Sequence, residues 1–209
     1  MINTSQPDTL VLGIGNLLWA DEGFGVRCVE SLASRYRLPP TIHCLDGGTQ
    51  GLYLLPYLQA CRRLIVFDAI DYGLAPGTMR LIENDQVPRF MGAKKMSLHQ
   101  TGFQDVIAAA ELTGQCPAEM LLIGIQPEEL DDFGGSLRPL IRARVELATY
   151  LAVRRLRRWG HRLPRRPAAE VLPHASPLSI AAYEDGRPAA DDACRVGDER
   201  VLARAMVSH

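Results

Sequence analysis

Five short apolar runs punctuate the chain, and the stretches between them recur at helical spacing. Thr9–Ile14 (TLVLGI) is β-branched and nearly continuous, the look of a strand buried on both faces. Gly15, Asn16, Asp21 and Gly23 mark a loop. Val26, Val29, Leu32 and Ala33 then follow the spacing of an amphipathic helix over about 23–36. Pro39-Pro40 closes that connection. Thr41–Leu45 (TIHCL) reads as a second strand, closed by Asp46-Gly47-Gly48, with Thr49 as a cap for a helix over roughly 50–60. Leu64–Asp68 (LIVFD) is a third buried strand, Ala75-Pro76-Gly77 a turn, and Thr78–Ile82 (TMRLI) a fourth strand. The link between strands three and four is too short for a crossover helix, which predicts that these two pair antiparallel. A loop over 84–98 carries the only lysines, Lys94 and Lys95. His99 opens a helix of about 100–113, ended by Gly114. Leu121–Ile125 (LLIGI) is the fifth strand, and a last helix spans about 136–159.

This order predicts a three-layer α/β fold. Its centre is a five-stranded, mostly parallel twisted sheet with one antiparallel strand and helices on both faces. After Gly160 the periodicity stops, and prolines stand at 164, 167, 173, 177 and 188. Residues 1–160 are therefore read as a single domain. Residues 161–209 are read as a Pro/Ala/charge-rich C-terminal tail, expected to be largely disordered, with a short helix near 198–206.

Composition narrows the function by exclusion. Net charge is −1, from 23 basic and 24 acidic residues, so nothing global points to nucleic acid or an anionic membrane. Cysteines 28, 44, 61, 116 and 194 form no CxxC pair and mostly sit in apolar surroundings; they read as reduced core thiols of a reducing compartment. Met1–Ala20 carries no Lys or Arg, unlike a secretory signal, and no run reaches the ~18 apolar residues of a membrane span. A cytoplasmic location is the expectation. Between 142 and 166 there are nine arginines and one glutamate, read first as a solvated helix face and secondly as a docking surface for an acidic partner.

The candidate chemistry is carboxylate and imidazole. Gly13-x-Gly15 stands between a strand and a helix, but the third glycine of a dinucleotide loop is missing, since position 18 is Leu. Asp21 and Glu22 at the helix entrance would also repel a pyrophosphate. There is no P-loop, no GxSxG elbow and no HExxH. The acids fall elsewhere in a pattern. Glu22 follows strand one, Asp46 ends strand two, and Asp68 ends strand three with Asp71 close behind. Parallel strands would bring all three to one rim, where open sheets bind ligands. His99 would fold back from the long loop to join them. Oxygen and nitrogen donors without thiolate suit Zn, Ni or a similar borderline ion. Each residue also has a bland reading: Glu22 as a first-turn acid, Asp46 as a turn former, His99 as a loop residue or cap. Asp68 is hardest to dismiss, because a carboxylate finishing an apolar strand needs a partner.

Six blocks resemble the [NiFe]-hydrogenase maturation endopeptidases. They are Gly13-Ile14-Gly15-Asn16 through Asp21-Glu22-Gly23-Phe24-Gly25-Val26, Leu45-Asp46-Gly47-Gly48-Thr49, Phe67-Asp68-Ala69, Ala75-Pro76-Gly77-Thr78, Ser97-Leu98-His99-Gln100 and Gly124-Ile125-Gln126-Pro127. The resemblance covers about residues 9–158. It implies an endopeptidase that removes a C-terminal extension from the hydrogenase large-subunit precursor after nickel insertion. Glu22, Asp68 and His99 would be its metal-binding residues. Asp46 would have an orienting or base role in catalysis, which Asp68 would share, and Asp21 could be a spectator. The resemblance also implies that the nickel belongs to the substrate, with Zn or Cd able to substitute in vitro. The expected partners are the nickel-loaded precursor and hydrogenase assembly chaperones, met by a monomer. A rival reading is a non-catalytic nickel metallochaperone or sensor using the same three ligands, and a second is a germination-type protease of similar topology.

Overall fold

The computed structural model describes residues 7–92 and 98–167, and within these the side chains outside 90–102. In chain order the elements are β1 (Thr9–Ile14), α1 (Phe24–Arg35), β2 (Ile42–Gly48), α2 (Leu55–Gln59), β3 (Arg63–Ala69), β4 (Met79–Glu83), α3 (Gln86–Gly92), α4 (Leu98–Leu112), β5 (Glu119–Ile125), α5 (Pro139–Arg142) and α6 (Val145–Arg158). Two 3-10 turns, Ala20–Gly23 and Gly51–Leu54, precede α1 and α2.

The five strands form one sheet in the order β2-β1-β3-β5-β4. Every pairing is parallel except β4 with β5. Helices cover both faces, as the element order predicts. On one face Phe24, Cys28 and Leu32 of α1 pack with Ile141, Ala152 and Leu156 of the C-terminal helices. On the other, Leu58, Val87, Phe103 and Ile107 of α2, α3 and α4 pack over Leu12, Val66 and Leu122. β1, β3 and β5 are buried on both sides, which is why their sequences are continuous apolar runs rather than alternating ones.

Four expectations are corrected. β4 does run opposite to β3, but it does not pair with it: β5 lies between them and takes β4 as its antiparallel neighbour. A short link limits direction, not adjacency. The stretch read as a loop after Ile82 contains α3, anchored by the buried Val87. The last helix is two pieces, α5 and α6, separated at Ala143 and Arg144. β2 continues through Asp46, Gly47 and Gly48, so Asp46 lies inside the strand and not beyond its end.

Residues 161–167 pack onto the domain. Leu163 is buried, the Arg37 amide donates to the Pro164 carbonyl, and the Arg166 amide donates to the Arg35 carbonyl. The His161 ring meets the hydroxyls of Thr9 and Thr41 at 2.8 and 3.3 Å. Lys94, Lys95 and the helix expected near 198–206 lie outside the described residues.

The chain leaves β1 toward β2 on one side and returns to β3 on the other, so the order reverses between β1 and β3. That reversal opens a crevice beyond the carboxyl ends of these two strands. Two glycines fix what covers it. A Cβ on Gly25 would stand 2.2 Å from the Ile14 carbonyl oxygen and 2.3 Å from that of Phe67. One on Gly13 would stand 2.3 Å from the Gly25 carbonyl oxygen. The start of α1 thus rests directly on the ends of β1 and β3, backbone against backbone. Gly25→Ala forces these chains apart and is predicted to cost at least about 3 kcal/mol, read as a lower urea midpoint. An unchanged midpoint would show that the helix start has room to move.

Candidate active site

Glu22 and Asp68 stand on the two elements that border this crevice, the turn after β1 and the end of β3. Glu22 sits in the 3-10 turn between β1 and α1, three residues ahead of the Gly25 contact, and is 7% exposed. The turn forms because Gly15 takes φ 130° and clears the Glu22 carbonyl, which a Cβ there would approach to 1.8 Å. Asp68 is the sixth residue of β3 and is 1% exposed. Alternation along β3 puts its side chain on the face of Leu64 and Val66, the α2 and α4 side. Both carboxylates make other interactions. Glu22 Oε2 and Asp68 Oδ2 are nevertheless buried oxygens with no hydrogen bond among the described residues. Carboxylate oxygens together with an imidazole are donors that suit a divalent ion.

His99 is the second residue of α4, the helix on the face that Asp68 addresses; its side chain lies outside the described residues. Among the described residues no three His, Cys, Asp or Glu side chains form a metal-sized cluster. Glu22 and Asp68 are the two described carboxylates that could serve as donors to an ion there.

Asp46 stands apart. It is on β2, exposed, opposite Gly13 of β1. Cys44 packs toward α1, and alternation sends Asp46 to that same side. Burial pushes its carboxyl up from the usual carboxylate range, while the Gly48 backbone hydrogen bond and the Arg27 charge pull it back. Arg27 on α1 is only 5% exposed and pairs with Glu30 at 2.9 Å; sequence reading had missed it, since one arginine inside an amphipathic helix gives no signal. β2 and β3 are separated by β1, so Asp46 and Asp68 start roughly 10 Å apart, two strand spacings. They cannot readily share one ion.

The comparisons agree with this architecture. The hydrogenase maturation protease family matches residues 26–155. Hydrogenase expression/formation protein HupD of Rhodobacter capsulatus is 58% identical over 198 residues, covering 94% of this chain and 93% of that one. The hydrogenase 2 maturation protease of Escherichia coli is 42% identical over 152 residues, covering 72% and 92%. The solved hydrogenase maturating endopeptidase HybD from E. coli superimposes with a TM-score of 0.72 at 40% identity, over 76% of this chain and 97% of that one. The chain belongs to the hydrogenase maturation protease family. The HupD match reaches well past residue 167, so the C-terminal stretch is shared with that relative.

In this maturation protease Asp21 has a structural role. It is fully buried, and its carboxylate accepts the backbone N–H groups of Glu128 and Glu129 at 2.9 Å each and of Arg138 at 2.8 Å. Its own amide donates to the Glu129 carbonyl. Trp19 adds an antiparallel bridge to Phe133, with ring centroids 5.2 Å apart. The turn bearing Glu22 is thereby tied to the loop after β5. The sequence carries little hint of this, because donors and acceptor are more than 100 residues apart.

Gln126 frames the other flank. Its side-chain oxygen accepts the amides of Tyr72 and Leu74 at 2.7 and 3.1 Å, and its nitrogen donates to Asp71 Oδ1 at 3.0 Å. Asp71, noted in the sequence for its nearness to Asp68, thus braces the loop after β3.

Asp21→Ala removes the acceptor of three amides at once, each worth about 1–3 kcal/mol when left buried. It is predicted to lower stability by about 3 kcal/mol or more. Hydrogen exchange should speed up at Glu128, Glu129 and Arg138 and stay slow in β1 and β3. Unchanged exchange at those three amides would contradict the tie.

Proposed function

We propose that this maturation protease removes the C-terminal extension of a [NiFe]-hydrogenase large-subunit precursor, and that it reads the nickel already seated in that substrate. The observation that carries the reading is the pair of enclosed carboxylates, Glu22 and Asp68, at the topological switch point of a family member's sheet. Glu22, Asp68 and His99 take up the substrate-borne nickel. Asp46, about two strands away, is too distant to join them and acts on the scissile peptide, as base or as the group that orients water.

This division accounts for the lack of a side-chain nucleophile in the motifs. Nickel carried by the precursor polarises groups near it and marks the substrate as ready. An unloaded precursor lacks the cation that Glu22, Asp68 and His99 would hold, so it binds poorly. The conditional cut follows from that difference in affinity. The protein acts as a monomer in the cytoplasm on this reading, and among the described residues no helix is long and apolar enough to cross a membrane.

Intact-mass spectrometry of purified protein mixed with its host's precursor tests the proposal. Loss of one C-terminal peptide from the nickel-loaded form alone is the expected result. Equal cutting of loaded and nickel-free precursor would remove nickel from the recognition. Cutting of neither, with tight binding of the loaded form, would make the protein a metallochaperone.

A further inference from the structure

The loop after β3 is built to deliver one hydroxyl to the side of Asp68. Gly124 is the β5 residue in register with Asp68, so their side-chain directions lie on one face of the sheet about 5 Å apart. Gly124 has no side chain, and the Tyr72 phenol fills the vacancy: a Cβ on Gly124 would stand 1.8 Å from the Tyr72 hydroxyl oxygen and 2.9 Å from the ring carbon that bears it. The phenol therefore lies in the slot beside the Asp68 carboxylate. The backbone of Tyr72 is held there by the buried Gln126, which accepts its amide and that of Leu74 and also grips Asp71. Asp71 in turn accepts the Gly73 amide at 2.8 Å. The Tyr72 ring is part-exposed, but its hydroxyl oxygen is buried.

We propose that Tyr72 is a positioning residue for Asp68: its hydroxyl donates to that carboxylate as the loaded substrate arrives, turning the other carboxylate oxygen to the metal. The inference deepens the reading of the site as a grip on substrate-borne nickel and rests on it. A phenol suits the task. It is uncharged and carries one proton to donate. A neutral donor steadies an enclosed carboxylate without neutralising it. A lysine in the same slot would compete with the metal for the charge.

The test is the affinity of the full-length protein for nickel-loaded and nickel-free precursor, compared in wild type and Tyr72→Phe. Phenylalanine keeps the ring over Gly124, so a purely packing role predicts no change in either affinity. The proposal predicts about tenfold weaker binding of the loaded precursor, the size of one hydrogen bond to a charged group. Nickel-free binding and thermal midpoint should stay the same. Gly124→Ala, which pushes the phenol out of the slot, should weaken loaded binding at least as much. Loaded-precursor affinity within twofold of wild type in Tyr72→Phe would overturn the role of the hydroxyl while leaving the nickel grip standing. A wild type with no preference for loaded precursor would remove the grip itself, and the inference with it.

Discussion

The site depends on one steric constraint: the backbone of Gly25 touches the ends of β1 and β3 at once. Any side chain there would lift α1 from the sheet. Because it cannot lift, the turn before α1, which bears Glu22, is pressed into the reversal point of the strand order. Gly13 and Gly15 serve the same contact from the strand side, one by clearing Gly25 and the other by clearing the Glu22 carbonyl. The glycines that resemble a dinucleotide loop thus serve a different end. They bring backbone to backbone so that two acids can be enclosed, where a nucleotide site would have kept that helix start open to phosphate.

Around this contact the polar groups are unequal in a useful way. Glu22 and Asp68 are enclosed, and Asp46 is exposed on the α1 side of β2. On the proposed reading, the first two face the metal of the loaded substrate from an enclosed site. Exposure leaves Asp46 able to meet a peptide from outside. Asp21 and Gln126 act on the backbone. Each converts a loop into a fixed support, Asp21 for the turn bearing Glu22 and Gln126 for the segment after Asp68.

Much of this was legible in the chain. Continuous apolar runs announced β1, β3 and β5 because those strands are buried on both faces. Strand neighbours were not legible: the short link after β3 told the direction of β4 but could not reveal that β5 would come between. α3 was missed because, among its described side chains, only Val87 is buried, and it sits next to Pro88, too little to set a period. The function of Asp21 was hidden by distance along the chain. Gly124 was the overlooked clue. An isolated glycine inside the run LLIGI signals that something approaches the strand closely, and here it is the Tyr72 phenol.

The central claim is that Glu22 and Asp68 grip the substrate through its metal while Asp46 acts on the peptide. Capture of nickel-loaded precursor by Glu22→Gln, Asp68→Asn and Asp46→Asn, each immobilised and compared with wild type, separates these roles most directly. The first two are expected to fail to retain loaded precursor, whereas Asp46→Asn is expected to retain it uncut. Wild-type retention by both Glu22→Gln and Asp68→Asn would contradict the account.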